Sequence, residues 1–264
     1  MPEGPECHAI ASRLGSWLKG ARVQEVHIQA GRYAKKRPPG FCSLLSRLEE
    51  GDLAVERVGA KGKLVYIVLG RGEVVLLSTM GLSGTWTKNR TKHCDIRLRT
   101  DKGDVWFKDQ LHYGTLAVTD QKGLDRKLAR LGPDVTLGNS LTESFWESFS
   151  IKHGTTSVAE ALMKQEWLSG VGNYLKAEIL LAAGIAPLSQ LDDLPRTKRM
   201  DLLMALNQIP RKYLDARTGR GPRIKMKVYG RKVGPGGHRV VRTKTPDARI
   251  THWVPELQRE YTAH

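Results

Sequence analysis

The hydrophobic period of this chain changes once, near residue 120, and that change limits the folds open to it. Between about residues 20 and 119, apolar residues alternate with polar ones or form short runs rich in Val, Ile and Leu. RVQEVHIQA, KLVYIVLG, GEVVLLSTM, CDIRLRT and DVWFKD each read as a strand, and DKGD between the last two reads as a hairpin turn. Ahead of them, Pro5 suits a first helical turn, and Ile10, Leu14, Trp17 and Leu18 form one apolar stripe closed by Gly20. After a charged stretch, DQKGLDRKLARLGPD, the period becomes helical. Ser140 with Glu143 makes a capping box, SVAEALMKQEWL and NYLKAEILLAAGI are separated by SGVG, and LPRTKRMDLLMALNQI follows a proline. From about residue 217 the chain is basic and glycine-rich, with KVYGRK and HRVVRTK reading as small strands around VGPGG. The pattern predicts an α+β protein: an N-terminal helix and β-sandwich domain over 1–119 and a linker over 120–130. A helical domain over 131–224, a β-hairpin over 225–258 and a disordered tail over 259–264 complete it.

Composition narrows the function. The 264 residues carry 43 Lys and Arg against 27 Asp and Glu, a net charge of +16 that calls for an anionic partner, nucleic acid before an acidic membrane surface. No apolar run approaches the ~20 residues that span a bilayer, and no basic-then-apolar leader stands at the start. The three cysteines, Cys7, Cys42 and Cys94, are widely spaced and odd in number, which fits a reducing intracellular compartment without a disulfide framework.

The opening residues, MPEGPE, carry chemistry of their own. Removal of a methionine before a small residue leaves Pro2 with a free secondary amine. An α-amino group titrates near 8 against about 10.4 for lysine, so far more of it is nucleophilic at neutral pH. Such an amine attacks a carbonyl carbon to form an iminium, and Glu3 is placed to move the protons.

MPEGPE at the extreme N-terminus resembles the signature of the formamidopyrimidine-DNA glycosylase/endonuclease VIII family of bifunctional base-excision glycosylases. AKGKL is similar to the family's catalytic-lysine strand, LGPD to the start of its helical domain, GVGNYLKAEIL to its helix-two-turn-helix segment, and TPDARITHWVPELQ to its C-terminal finger. The five matches run in order from residue 2 to residue 258. The resemblance implies that Pro2 attacks C1′ of a damaged nucleotide, that Glu3 shuttles protons to the sugar, and that Glu6 is a second, more structural carboxyl. It implies a phosphate-contacting catalytic lysine at Lys63, with Lys61 as the competing choice. Asn173 and the N–H groups near it would hold a phosphate. Arg249 would clamp the phosphate at the lesion through its planar fork.

Two departures from the family stand out. Most members hold the finger with four zinc-bound cysteines, but this chain has none after Cys94, and His238 and His252 are too few to replace them. The segment resembles the zincless finger of some members, and the chain is expected to need no metal or cofactor. The loops that fill the gap left by a flipped nucleotide match MGLSGTW and DQLHYG, where arginine, arginine and phenylalanine are common in the second. This chain offers Leu82, Leu111, His112 and Tyr113, so Leu82, Leu111 and Tyr113 are the wedge candidates and His112 replaces a phosphate-gripping arginine. The implied partner is double-stranded DNA carrying oxidised bases or abasic sites, bound by a monomer that is nuclear if the source is eukaryotic. An endonuclease VIII-like preference for oxidised pyrimidines, ring-opened purines and hydantoins leads a formamidopyrimidine preference. A non-catalytic DNA-binding protein is the reading from another class.

Overall fold

The computed structural model describes residues 2–138 and 141–262. The chain divides into two units: one holds Pro2 and Glu6–Arg130, the other Glu3–Pro5 and the residues from Leu131 onward.

The first unit takes up helix α1 (Gly4–Leu18) from Glu6 onward, followed by strand β1 (Arg22–Ile28). Strands β2 (Leu53–Lys61), β3 (Leu64–Leu69), β4 (Val74–Thr79), β5 (Thr85–Thr87), β6 (Cys94–Thr100), β7 (Gly103–Lys108) and β8 (Thr115–Thr119) follow. All pair antiparallel in the order β5-β7-β6-β1-β2-β3-β4-β8. Only two residue pairs, Arg22↔Ala54 and Val23↔Leu53, join β1 to β2, so the sheet consists of two four-stranded halves. Both halves feed one core: Ile96, Leu98 and Phe107 from one, Ile67, Leu69 and Leu76 from the other, with Ile10, Leu14 and Leu18 of α1. That is the expected β-sandwich with its leading helix.

Two helices interrupt residues 20–119, which the pattern treats as all β. Helix α2 (Arg32–Lys35) is short, and α3 (Phe41–Glu49) buries Phe41 and Leu44 in the core, with Leu45 and Leu48 packed against it. The expected linker over 120–130 is also corrected. Residues Gln121–Ala129 form helix α4, capped by the Asp120 carboxylate on the Gly123 N–H at 2.7 Å. Leu124 of α4 is fully buried with Val68 and Val75 on the outer face of β3 and β4. Covering both faces of β3 explains why its sequence is a continuous apolar run.

The second unit contains α5 (Glu143–His153), α6 (Val158–Met163), α7 (Asn173–Ala183) and α8 (Arg196–Arg217). Ser140 lies outside the described residues; the cap observed on α5 is Thr142, whose hydroxyl accepts the Phe145 N–H at 3.2 Å. Leu162, Leu168, Leu175, Ile179, Leu202 and Leu206 make the core of this unit. Helix α7 ends at Gly184, whose φ of 66° is the left-handed conformation that closes a helix.

The C-terminal hairpin pairs β9 (Val241–Lys244) with β10 (Ile250–Trp253), from Ile250↔Lys244 to Trp253↔Val241. HRVVRTK therefore contains a strand, but KVYGRK does not; around VGPGG only Val233 and Arg239 bridge. Val228, Val240 and Val254 bury themselves with Ala177 of α7, and each buried valine contributes about 1.5–3 kcal/mol. The tail is not loose through residue 261. The Arg259 N–H bonds Gly184 O at 3.0 Å, and the Tyr261 N–H bonds Ser189 Oγ at 3.0 Å. No helix among the described residues is long and apolar enough to cross a membrane.

Candidate active site

The first N–H groups of any α-helix have no partner within the helix and attract an anion. At the start of α7 the N-cap is Gly172, which has no side chain to supply one. The anion comes from the other end of the chain. Glu3, 1% exposed, accepts the N–H groups of Gly172 at 2.8 Å and Leu175 at 3.1 Å on Oε2, and that of Tyr174 at 2.8 Å on Oε1. The Gly4 N–H bonds Gly170 O at 2.8 Å and fixes the approach. Gly172 is required here, because a Cβ on it would overlap the Glu3 carboxyl group and stand 2.6 Å from Cγ. The carboxylate is thus held by three N–H bonds, Pro2 next to it in the chain is half-buried, and Glu6 lies in the first turn of α1.

Lys61 and Lys63 occupy the turn from β2 to β3, where Gly62 takes a φ of 55°. The Lys61 ammonium donates to Leu128 O, in the last turn of α4, at 2.9 Å. The carbonyl of Lys63 accepts the Cys7 thiol at 3.5 Å, so the turn lies against the beginning of α1. The two lysines therefore part company: Lys61 reaches towards α4, whereas Lys63 is tied through its backbone to the N-terminal helix.

The wedge candidates sit on two loops of the first unit that one buried carboxylate ties together. Asp109, 2% exposed, accepts the Ser83 hydroxyl at 2.6 Å on one oxygen and the Gly114 N–H at 2.6 Å on the other. The Leu111 N–H bonds Ser83 Oγ at 2.9 Å. Gly81, with φ 53°, lets the loops touch, since a Cβ there would meet the Tyr113 carbonyl carbon at 2.5 Å. Leu82, Leu111 and Tyr113 then project at 42, 50 and 62% exposure. Three large apolar side chains held out into solvent on a rigid base cost hydrophobic free energy unless something covers them.

His112, between two of them, has a φ of 56° and places Nδ1 2.9 Å from Asp95 Oδ2. Burial raises the Asp95 carboxyl above its ordinary value, and the charge of His112 opposes this. With Nδ1 engaged by Asp95, a phosphate contact would have to use Nε2.

Asn173 is the first residue of α7, not its cap. Its Nδ2 donates to Ile250 O at 3.0 Å, and its Oδ1 is buried without a hydrogen-bond partner among the described residues. Arg249 is exposed at the turn between β9 and β10. The Thr245 N–H bonds Arg249 O at 2.9 Å, and Ala248 takes a φ of 60° to close the turn.

Sequence reasoning missed the polar groups that hold these parts. Lys176, fully buried, places Nζ 2.7 Å from Asp247 Oδ2 in the finger turn. Glu178, 5% exposed, accepts the N–H groups of Lys227, Val228 and Tyr229 at 2.9–3.0 Å. The available signal was a lysine and a glutamate inside the apolar run NYLKAEILLAAGI, two charges that a buried helix keeps only when they are paired. Among the described residues, no group of three His, Cys, Asp or Glu side chains could hold a metal ion. A zinc site of the kind common in such fingers does not fit the residues of this hairpin.

The profile of the formamidopyrimidine-DNA glycosylase N-terminal domain matches residues 1–116. A formamidopyrimidine-DNA glycosylase of Acidiphilium cryptum (strain JF-5) is 30% identical over 192 residues, 71% of this chain and 67% of the relative. That of Rhodococcus jostii (strain RHA1) is 29% identical over 226 residues, 81% of this chain and 76% of the relative. The fold is similar to that of Lactococcus lactis formamidopyrimidine-DNA glycosylase, crystallised non-covalently bound to DNA containing an AP site. The TM-score is 0.83 at 19% identity, covering 98% of this chain and all of that one. The same Lactococcus enzyme in complex with DNA containing an oxidised pyrimidine gives 0.83 at 20% identity, with the same coverage.

Proposed function

The chain belongs to the formamidopyrimidine-DNA glycosylase/endonuclease VIII family of DNA glycosylases and AP lyases, and from that premise we propose the reaction and the residues that carry it. The substrate is duplex DNA with an oxidised base: an oxidised pyrimidine, a ring-opened purine or a hydantoin. The Pro2 nitrogen attacks C1′ while the bond from C1′ to the base breaks and the base leaves with a proton. Opening of the sugar gives an iminium. Loss of a C2′ proton then expels the 3′ phosphate by β-elimination, with or without a second, δ-elimination that releases the 5′ phosphate, and water returns the amine. Glu3 moves the protons, and Glu6 supports the N-terminal helix.

The observation that carries this reading is the grip of the α7 N-terminus on Glu3. A carboxylate fixed by three N–H bonds one peptide away from a nucleophilic amine is the preorganisation that proton transfer at a sugar needs. Lys63 takes the lesion phosphate. Asn173, Arg249 and His112 contact the DNA backbone. Leu82, Leu111 and Tyr113 fill the space of the flipped nucleotide, which their exposure on the Asp109-braced loops favours. Zinc has no part in this scheme.

A second reading, a preference for formamidopyrimidine and oxidised guanine, is favoured by one finding: the relatives quoted above are named formamidopyrimidine-DNA glycosylases. A lesion panel separates the two readings.

Borohydride reduction tests the chemistry. It traps the iminium, so the protein becomes covalently attached to duplex DNA bearing an abasic site. Pro2→Gly is expected to lose most of that adduct. Undiminished trapping by protein with an acetylated N-terminus would remove Pro2 from the mechanism.

A further inference from the structure

A two-stranded hairpin of four residues per strand is marginal by itself in water. This finger has no cysteine with which to bind a metal, yet its turn is closed and its residue Arg249 is placed at a defined point. Val240 and Val254, which flank the two strands, pack with Ala177 of α7, but the turn that carries Arg249 lies at the other end of the hairpin.

We propose that Lys176 and Asp247 form a buried ionic clasp that seats the finger turn on α7 and thereby positions Arg249 for its phosphate. The proposal rests on the reading of Arg249 as the phosphate clamp. Lys176 lies in the first turns of α7, the helix whose N-terminus holds Glu3. Its side chain is 0% exposed and that of Asp247 is 5% exposed, and the two meet at 2.7 Å. Lys176 Nζ also donates to Thr245 Oγ1 at 3.4 Å. The Thr245 hydroxyl in turn touches Asp247 Oδ1 and lies 2.9 Å from Thr251 Oγ1 and 3.1 Å from Arg249 O. The contacts thus run from α7 through Asp247 and Thr245 to the backbone of Arg249 itself. Burial pushes the Lys176 ammonium below its ordinary value, and the hydrogen bond and charge of Asp247 pull it back.

A buried ion pair contributes little net stability compared with apolar side chains of the same volume, because each charge loses its water. Its distinctive property is directional. Asp247 is the charged partner of Lys176, and a slipped turn would leave two charges stranded in the interior. The clasp is therefore a positioning device: Lys176 and Asp247 act on DNA through Arg249.

A mutant cycle tests this. Equilibrium binding to a duplex with a tetrahydrofuran abasic analogue is measured for wild type and for Lys176→Met/Asp247→Leu, which leaves neither buried charge. Each is measured with and without Arg249→Ala. In wild type, Arg249→Ala is expected to weaken binding about ten- to a hundredfold, the range for losing a charge-assisted phosphate contact. In the clasp-less protein, the same substitution should cost less than about threefold, and the salt slope should already be shallower by about one phosphate equivalent. Lys176→Arg, which keeps the pair, should restore the Arg249 effect. A folded clasp-less protein in which Arg249→Ala still costs its full wild-type factor overturns the clasp and leaves the Arg249 reading intact. A silent Arg249→Ala in wild type sinks that reading, and the clasp with it. If the double variant does not fold, Asp247→Asn, of the same shape without the charge, takes its place. A full Arg249 effect in that variant overturns the clasp in the same way.

Discussion

Replacement of Gly172 by alanine removes no charge and no functional group, yet it should disable base excision. Gly172 has a φ of −127° and ψ of −163°, an extended conformation that alanine adopts without strain. The consequence is therefore one of space. The new Cβ would overlap Glu3 Cδ and Oε1 and lie 2.6 Å from Cγ, against 3.4 Å for ordinary contact, so the side chain must retreat by at least about 0.8 Å, the difference for Cγ alone. Three N–H bonds of 2.8, 2.8 and 3.1 Å then stretch to or beyond the limit of a hydrogen bond. Leaving one buried N–H unpaired costs about 1–3 kcal/mol of stability. Displacement of a reacting group by about 1 Å costs about a hundredfold in rate. The assay is single-turnover excision from a lesion duplex, with the denaturant midpoint and the affinity for a tetrahydrofuran duplex measured alongside. Excision should fall about a hundredfold and the midpoint should drop, while affinity holds, because Arg249 is untouched. Gly15→Ala is the control: its Cβ would meet only Val58 Cβ at 3.6 Å, inside α1, where alanine is favoured over glycine by about 0.5–1 kcal/mol. Excision by Gly172→Ala within threefold of wild type, with an unchanged midpoint, would refute the idea that the α7 N-terminus sets the catalytic carboxylate.

Three further outcomes are expected. Burial, and then the charge of Arg242, hold His252 below its ordinary 6.5, so the unfolded chain takes up a proton that the folded one resists. Stability should therefore decline as pH falls below about 6.5 through that lowered value, and His252→Gln should flatten the slope in denaturant titrations between about pH 5 and 7. Tyr113→Ala, at a position 62% exposed, should leave stability within about 0.5 kcal/mol but cost about 1–3 kcal/mol of affinity for lesion DNA, as removal of a stacking side chain does. Equal affinity in a fluorescence titration would exclude Tyr113 as a wedge. Chelators should leave both unfolding and excision unchanged, since no metal free energy is present to remove; a chelator-induced fall in midpoint would refute the metal-free finger.

Several features were legible in the sequence because their causes are local. The change of period marks sandwich from helices, since side-chain direction follows backbone geometry within a few residues. The α3 stripe, Phe41, Leu44, Leu45 and Leu48, was equally local and simply lay inside a region read as strands. Helix α4 was harder, because only Leu124 and Leu128 of its nine residues face the sheet and the rest is charged or polar solvent face.

Pro2, Glu3, Lys63 and Arg249 became candidates through the family resemblance, because residue type and position in the chain are what a motif records. What holds them is not recorded there. The partners of Glu3 are backbone N–H groups about 170 residues away, which every sequence possesses and only a helix terminus exposes. Nothing in the sequence pairs His112 with Asp95, which the fold brings to 2.9 Å. Lys176 and Asp247 are two ordinary charges, 71 residues apart, until burial removes water from both and leaves each the other as its partner. Chain order determined which groups are available for chemistry. Tertiary structure alone decided which of them are paired, because desolvation and hydrogen-bond geometry depend on neighbours in space and leave no periodic trace along the chain.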